Sequence, residues 1–386
     1  MAQNEPTALE RCRIVLKERL IERGGGGEAT ETAVLNAHKW LARHQAADGS
    51  WKTKDYVDRC RASGEGTPCK PNPGGADDWA VGNTGLALLA FLGTGLSTAT
   101  DKEYDGINFG KIVRLGIEWL RKQQDQDGCV GARSGSKYMY GHAIATIALA
   151  EAHGLHDDPT LLLPAQKAVD FLVAAQNRGD GWRYSAQCGD SDPSVTGWCV
   201  MALRAAELAG LGFRKAAYDG ALACLAAFAD DERGRAGYRK KGMAGDSVPS
   251  PNEPFDDHPT MTALVMHSRI LIQKRRNDPF LAKGSALLLG DPPKWGGKAI
   301  DFYYWFHASQ ALFQFNGSRG ENWVEWNLVM KDILVKNQNP LNAGCKGGSW
   351  EPVDRWSHEG GRVYATAINA LTLETYYRYV MIFGGK

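Results

Sequence analysis

The sequence predicts an all-α protein, an (α/α)6 toroid of six inner and six outer helices. Three observations carry that expectation. Helical segments recur in pairs along the chain, the two members of each pair differ in character, and strand-like alternation is essentially absent. One member is amphipathic and ends in Gln before a Gly-containing turn. Examples are Trp40-Leu41-Ala42-Arg43-His44-Gln45 before Asp48-Gly49-Ser50-Trp51, and Trp119-Leu120-Arg121-Lys122-Gln123-Gln124 before Asp127-Gly128. Phe171 to Gln176 before Gly181-Trp182, and Leu334 to Gln338 before Gly347-Gly348-Ser349-Trp350, follow the same plan. Gly permits the left-handed turn that ends a helix, and the Trp can fold back over the helix end.

The other member is apolar and rich in Ala, Thr and Gly: the segments around Thr84, His142, Thr196, Thr262, His307 and Thr366. A helix apolar on most sides must be buried on most sides, so these six form the inner ring. Their starts are expected near 78, 138, 192, 257, 301 and 361, all at one end. Outer partners are expected near 31–45, 111–124, 164–177, 214–229, 279–289 and 322–338. Residues 6–23 read as an extra amphipathic helix, and Gly24 to Gly27 as a flexible hinge, giving an N-terminal segment 1–27 and a toroid domain 28–386. No strand precedes the glycine run and no GK[ST] follows it, which argues against a phosphate loop.

Composition narrows the function classes. A net charge of +1 gives no field to concentrate nucleic acid. No run approaches the ~18 apolar residues of a membrane span, which leaves only peripheral membrane contact. The residues Met1 to Pro6 lack the apolar core of a signal peptide. The eight cysteines include no CxxC pair, and only Cys60 and Cys69 share one Gly/Pro-rich loop where a bridge is plausible.

At this point the residues carry a resemblance. Gln45-x-x-x-Gly49-x-Trp51 resembles the Gln–Trp repeat of squalene–hopene and oxidosqualene cyclases. Asp301-Phe302-Tyr303-Tyr304-Trp305-Phe306-His307 resembles the start of an inner helix in protein prenyltransferase β-subunits. From about residue 30 onward the chain resembles uncharacterised planctomycete "prenyltransferase and squalene oxidase repeat" proteins, with Ser194-Val195-Thr196-Gly197-Trp198 typical of them.

The resemblance implies a hydrophobic isoprenoid ligand and an acid that starts cyclisation. Class II terpene cyclases place that acid in an Asp-x-Asp-Asp-Thr-Ala motif. The nearest element here is Asp256-Asp257-His258-Pro259-Thr260-Met261-Thr262-Ala263, whose spacing departs from the motif. Asp256 and Asp257, with His258 beside them, are the catalytic candidates, since adjacent carboxylates split their pKa values. Either Asp could instead cap the following helix. Candidates to line a substrate site are His142, Trp198, Tyr303, Tyr304, His307, Arg362 and Tyr364. His142 also reads as a hydrogen-bonded core histidine, and the aromatic group as core packing. Arg362 could hold a diphosphate or carboxylate, or pair with a nearby acid.

Prenyltransferases hold zinc at inner-helix starts with Asp, Cys and His. Asp301, His307, Cys199 and His142 are available here, but the Asp-x-Cys pair is missing, so neither a metal nor another cofactor is expected. Two readings stay open: an acid-initiated isoprenoid cyclase, and a non-catalytic toroid that binds protein, peptide or lipid.

Overall fold

The computed structural model describes residues 25–53, 56, 57, 59, 69, 79–238 except 102, 136 and 157, and 259–378. Among these residues, twelve long helices alternate between two rings. The outer ones are α1 (Glu28–Arg43), α3 (Phe109–Lys122), α5 (Pro159–Ala174), α7 (Ala216–Phe228), α9 (Pro279–Gly290) and α11 (Glu321–Lys336). The inner ones are α2 (Ala80–Gly93), α4 (Tyr138–His156), α6 (Pro193–Leu208), α8 (Thr260–Gln273), α10 (Phe302–Asn316) and α12 (Ser357–Leu373).

Each inner helix packs on the next, and α12 packs back on α2, so the ring is closed. The outer ring closes through α11 on α1. The extended structure described is confined to two-residue antiparallel pairs, Glu103–Tyr104 with Ile107–Asn108 and Ala229–Asp230 with Arg235–Ala236.

The inner helices carry the core. In α2 every residue from Gly82 to Gly93 is buried, and α6 is buried from Pro193 through Leu203. Small residues set how closely they approach: a Cβ on Gly197 would sit 2.6 Å from the Leu264 side chain. Caps define the starts. Asp192 and Asp301 each accept a backbone N–H of the first turn, from Val195 and Tyr304. In α12 the last start is displaced, because Gly361 at φ 66, ψ −156 breaks the helix and regular geometry resumes at Arg362.

The Gln-containing turns are one device used four times. Gln45 Nε2 donates to Gly49 O and Ile112 O, both at 2.9 Å. Gln124 bridges Gly128 O and Pro164 O, Gln176 bridges Asp180 O and Ala217 O, and Gln338 bridges Gly348 O and Ala33 O. One amide thus ties its own turn to the next outer helix. The indole N–H groups of Trp51, Trp182 and Trp350 donate back to Leu41 O, Leu172 O and Leu334 O. The turn glycines also set spacing. Gly49, at φ 96, would place a Cβ 2.3 Å from Leu115 O, and Gly348, at φ 91, 2.4 Å from Asn36 O.

The end of the glycine run read as a hinge is anchored. The Gly25 carbonyl accepts from Asn327 Nδ2 (3.0 Å) and Lys331 Nζ (2.7 Å) on α11. The helix expected over 6–23 lies outside the described residues, as does Cys60 of the bridge considered with Cys69.

Candidate functional site

A second repeated bond fixes which inner-helix residues face the axis. The Trp51, Trp182 and Trp350 backbone N–H groups donate to Thr84, Thr196 and Thr366 Oγ1, and the Ala236 N–H to Thr262 Oγ1. In the second repeat His142 takes the Thr position and its Nδ1 accepts the Val130 N–H at 3.1 Å. Its ring meets Phe171 of α5 edge-on, between the two rings of helices. Burial drives its pKa down to about 3, so it stays neutral in the physiological range.

Two residues before that register lie Gly82, Tyr140, Ser194, Thr260 and Tyr364. Tyr303 matches Ser194 by its offset from the capping Asp. Of these, Tyr140, Ser194 and Tyr303 meet at the end of the ring where the inner helices start, its mouth. The Tyr140 hydroxyl donates to Ser194 Oγ (2.8 Å), and Ser194 and Tyr303 share a hydroxyl bond of 2.9 Å. Ser194 is on α6 and Tyr303 on α10, with α8 between them in ring order, so this bond links an inner helix to the next but one on the inside of the ring.

One turn deeper, Trp198 stacks on Phe306 at 5.9 Å, with the His307 ring at 5.6 Å from Trp198 and 4.5 Å from Tyr303. This pair also reaches from α6 to α10 past α8. Neither nitrogen of His307 has a hydrogen-bond partner among the described residues, nor does His267 Nε2. Burial holds His267 near about 3 and His307 well below its ordinary value, with His267 adding to the latter.

Acids flank the mouth on both sides. Asp192, nearly fully buried, accepts from the Val195 N–H and from the Tyr238 hydroxyl (3.2 Å). Burial outweighs these donors and pushes its pKa up to about 6. Asp354 lies in the turn before α12, 6% exposed. It accepts from the Phe302 N–H (3.2 Å), the Tyr364 hydroxyl (3.5 Å) and the Ser357 hydroxyl. Burial first, and then the charge of Asp301, push its carboxyl up to about 7. Asp301 is fully buried and takes the Trp356 indole N–H (3.2 Å), with the Arg355 guanidinium at 3.4 Å. The Trp356 ring lies 6.2 Å from Tyr303.

The lining candidates therefore divide. Trp198, Tyr303, His307 and Tyr364 come together at the mouth and its floor. Tyr304 points outward, donating to Asp291 O (3.0 Å) and meeting Trp326 of α11. Arg362 is buried in the last turn, where it bonds Ser349 Oγ, Trp350 O and the Glu351 carboxylate. Asp256, Asp257 and His258 lie outside the described residues. Tyr140, Ser194 and Asp354 were not singled out from sequence. Their one shared signal is position, at or just before an inner-helix start.

Comparison with known proteins gives two kinds of likeness. Residues 96–220 match the squalene–hopene cyclase C-terminal domain family. A squalene–hopene cyclase of Bradyrhizobium diazoefficiens is 27% identical over 209 residues, 50% of this chain and 29% of the relative. One of Zymomonas mobilis is 34% identical over 103 residues, 24% of this chain and 15% of the relative. The matched part thus spans under a third of these relatives' length. Among solved structures, an α-1,6-mannanase of Salegentibacter sp. HEL1_6 in complex with α-1,6-mannotriose superposes with a TM-score of 0.58 at 11% identity. That superposition covers 91% of this chain and 99% of the mannanase. An α-amylase from Clostridium perfringens gives 0.56 at 10% identity, covering 89% and 97%. These structures share the toroidal fold, and the sequence likeness is to the cyclases.

Proposed function

We propose that this toroid belongs with the prenyltransferase and squalene oxidase repeat proteins and acts on a hydrophobic isoprenoid at its mouth, with Asp354 as the acid that starts cyclisation. The observation that carries this reading is a buried carboxyl raised to about 7 beside a second buried acid, Asp301. In this reading Asp354 and Asp301 take the split-acid role expected from sequence of Asp256 and Asp257. At neutral pH a sizeable fraction of Asp354 retains its proton. In the step, the Asp354 O–H bond breaks as the proton adds to an alkene carbon or epoxide oxygen. The carboxylate left behind is stabilised by the Ser357, Phe302 and Tyr364 donors. The cation is attacked by a neighbouring alkene of the same molecule and is accommodated by the faces of Tyr303, Trp198 and Trp356. Loss of a proton from the cyclised cation to a base returns the neutral product.

The binding-module reading has its own support in the Trp198–Phe306 pair, which packs aromatic rings between α6 and α10 below the mouth. The two separate in one experiment. Squalene, oxidosqualene and prenyl diphosphates are incubated with the wild type, Asp354→Asn, and the Asp256→Asn and Asp257→Asn variants. The proposal expects product with the wild type and a loss of roughly 10²–10⁴-fold in Asp354→Asn. Undiminished turnover in Asp354→Asn with loss in the Asp256 or Asp257 variant moves the acid to that pair. No product from any substrate removes the cyclase reading and leaves a binding toroid.

A further inference from the structure

At the seam where the last repeat meets the first, three ligand atoms converge that the mouth does not use. His44 closes α1, Cys345 lies in the turn after α11, and Cys69 comes from the segment leading to α2. All three are buried, and their ring nitrogen and sulfur atoms lie within 4.8 Å of one another. His44 Nε2 is 3.1 Å from Cys345 Sγ. A nitrogen and a sulfur bound tetrahedrally to one zinc, at ~2.0–2.1 and ~2.3 Å, stand about 3.6 Å apart, so a small shift admits the ion.

The surroundings are those of an oriented ligand. His44 Nδ1 is 2.7 Å from the Trp40 carbonyl. Donation there fixes the tautomer and turns the Nε2 lone pair toward the thiols, as in metal sites where the second ring nitrogen is held by a backbone carbonyl. The His44 ring stacks on Trp40 at 4.1 Å, and the Trp40 indole N–H holds the Cys345 carbonyl at 2.9 Å. Both ends of the His–Cys pair are thus locked by one tryptophan.

We propose that His44, Cys69 and Cys345 bind one zinc ion that clasps the first repeat to the last. Two thiolates and an imidazole suit zinc, and the fourth position falls to water. The zinc-free expectation drawn from the inner-helix starts does not reach this cluster, because none of its ligands sits at such a start.

The test uses the full chain, purified without a metal-affinity step after growth in zinc-supplemented medium. Elemental analysis is expected to find about one zinc per chain, and X-ray absorption at least two sulfurs at ~2.3 Å with one imidazole nitrogen. Cys345→Ser and Cys69→Ser are expected to lose the zinc, while Cys188→Ser, at an exposed thiol outside the cluster, keeps it. Stripping zinc with a chelator is expected to lower the melting temperature of the wild type. The absorption spectrum stands on the wild type alone, so a serine variant that fails to fold does not decide the matter. Zinc-free protein that takes up neither added zinc nor cobalt overturns the proposal. So does zinc with an oxygen- and nitrogen-only shell, or Cys69 or Cys345 recovered in a disulfide from unreduced protein.

Discussion

The turns that join outer to inner helices and the mouth of the ring are built from the same repeats, yet they treat repetition oppositely. In the turns, equivalent positions keep one chemistry: a Gln bridges two carbonyls four times, and a Thr hydroxyl receives the next backbone N–H in four repeats. At the mouth, the equivalent positions are Gly82, Tyr140, Ser194, Thr260, Tyr303 and Tyr364, four different residue types at six positions. A position whose task is to hold neighbours together has the same task in every repeat. A position facing the axis meets a different part of whatever occupies it, so its residue is free to differ. His142 shows the first rule working through a substitution, since an imidazole nitrogen accepts the bond that Thr accepts elsewhere.

The largest test of this contrast removes a turn indole. Trp182→Ala deletes a fully buried ring and its bond to Leu172 O. A loss of ~3–5 kcal/mol in chemical denaturation is expected; a loss under 1 kcal/mol would mean that the turns do not hold the ring.

Next in size is a pH effect at the mouth. Asp354 has its pKa raised from 3.8 to about 7, so the folded state binds the proton more tightly than the unfolded chain does. Stability therefore falls as pH rises between those values, by on the order of 4 kcal/mol at most. In Asp354→Asn that fall should flatten, leaving the smaller slope from Asp192, which ends near about 6. Parallel slopes in the two proteins, measured by denaturation from pH 4 to 8, would remove Asp354 as the raised acid.

Gln176→Ala comes third. It strips donors from Asp180 O and Ala217 O and should cost ~1–3 kcal/mol. Smallest is Tyr303→Phe, which deletes only the hydroxyl shared with Ser194 and should move stability by about 1 kcal/mol or less. If the mouth is the working surface, this last change alters ligand handling while the melting curve stays in place.

The fold was legible because helix character and turn chemistry are local. The six inner starts follow from apolar segments preceded by Asp, Pro or Gly, and even the displaced start at Gly361 is written in the Gly360-Gly361 pair. Outer helix α9 was likewise bounded correctly to within a residue, at Pro279–Gly290. The site was legible only in part. Trp198, Tyr303, His307 and Tyr364 stood out as polar or aromatic residues in apolar helices. Asp354 did not, because its raised pKa depends in part on Asp301, which precedes a different inner helix and comes near only when α10 and α12 pack together. Tyr304 misled for a related reason: it is adjacent to Tyr303 in sequence, but a helix turns 100° per residue and sends it outward to Trp326.

The bond from Gln338 to the Ala33 carbonyl carries a consequence for chain order. It joins the last repeat to the first through the same contact that joins the first to the second, where Gln45 reaches Ile112 O. The Gln bridge thus treats the seam between last and first repeat like any other junction. A circularly permuted chain, opened between α6 and α7 and joined through a linker from residue 378 to residue 25, should reach the same ring. What permutation would change is timing, since the closure now made last would be made in mid-chain, and the folding rate rather than the final geometry would record the new order.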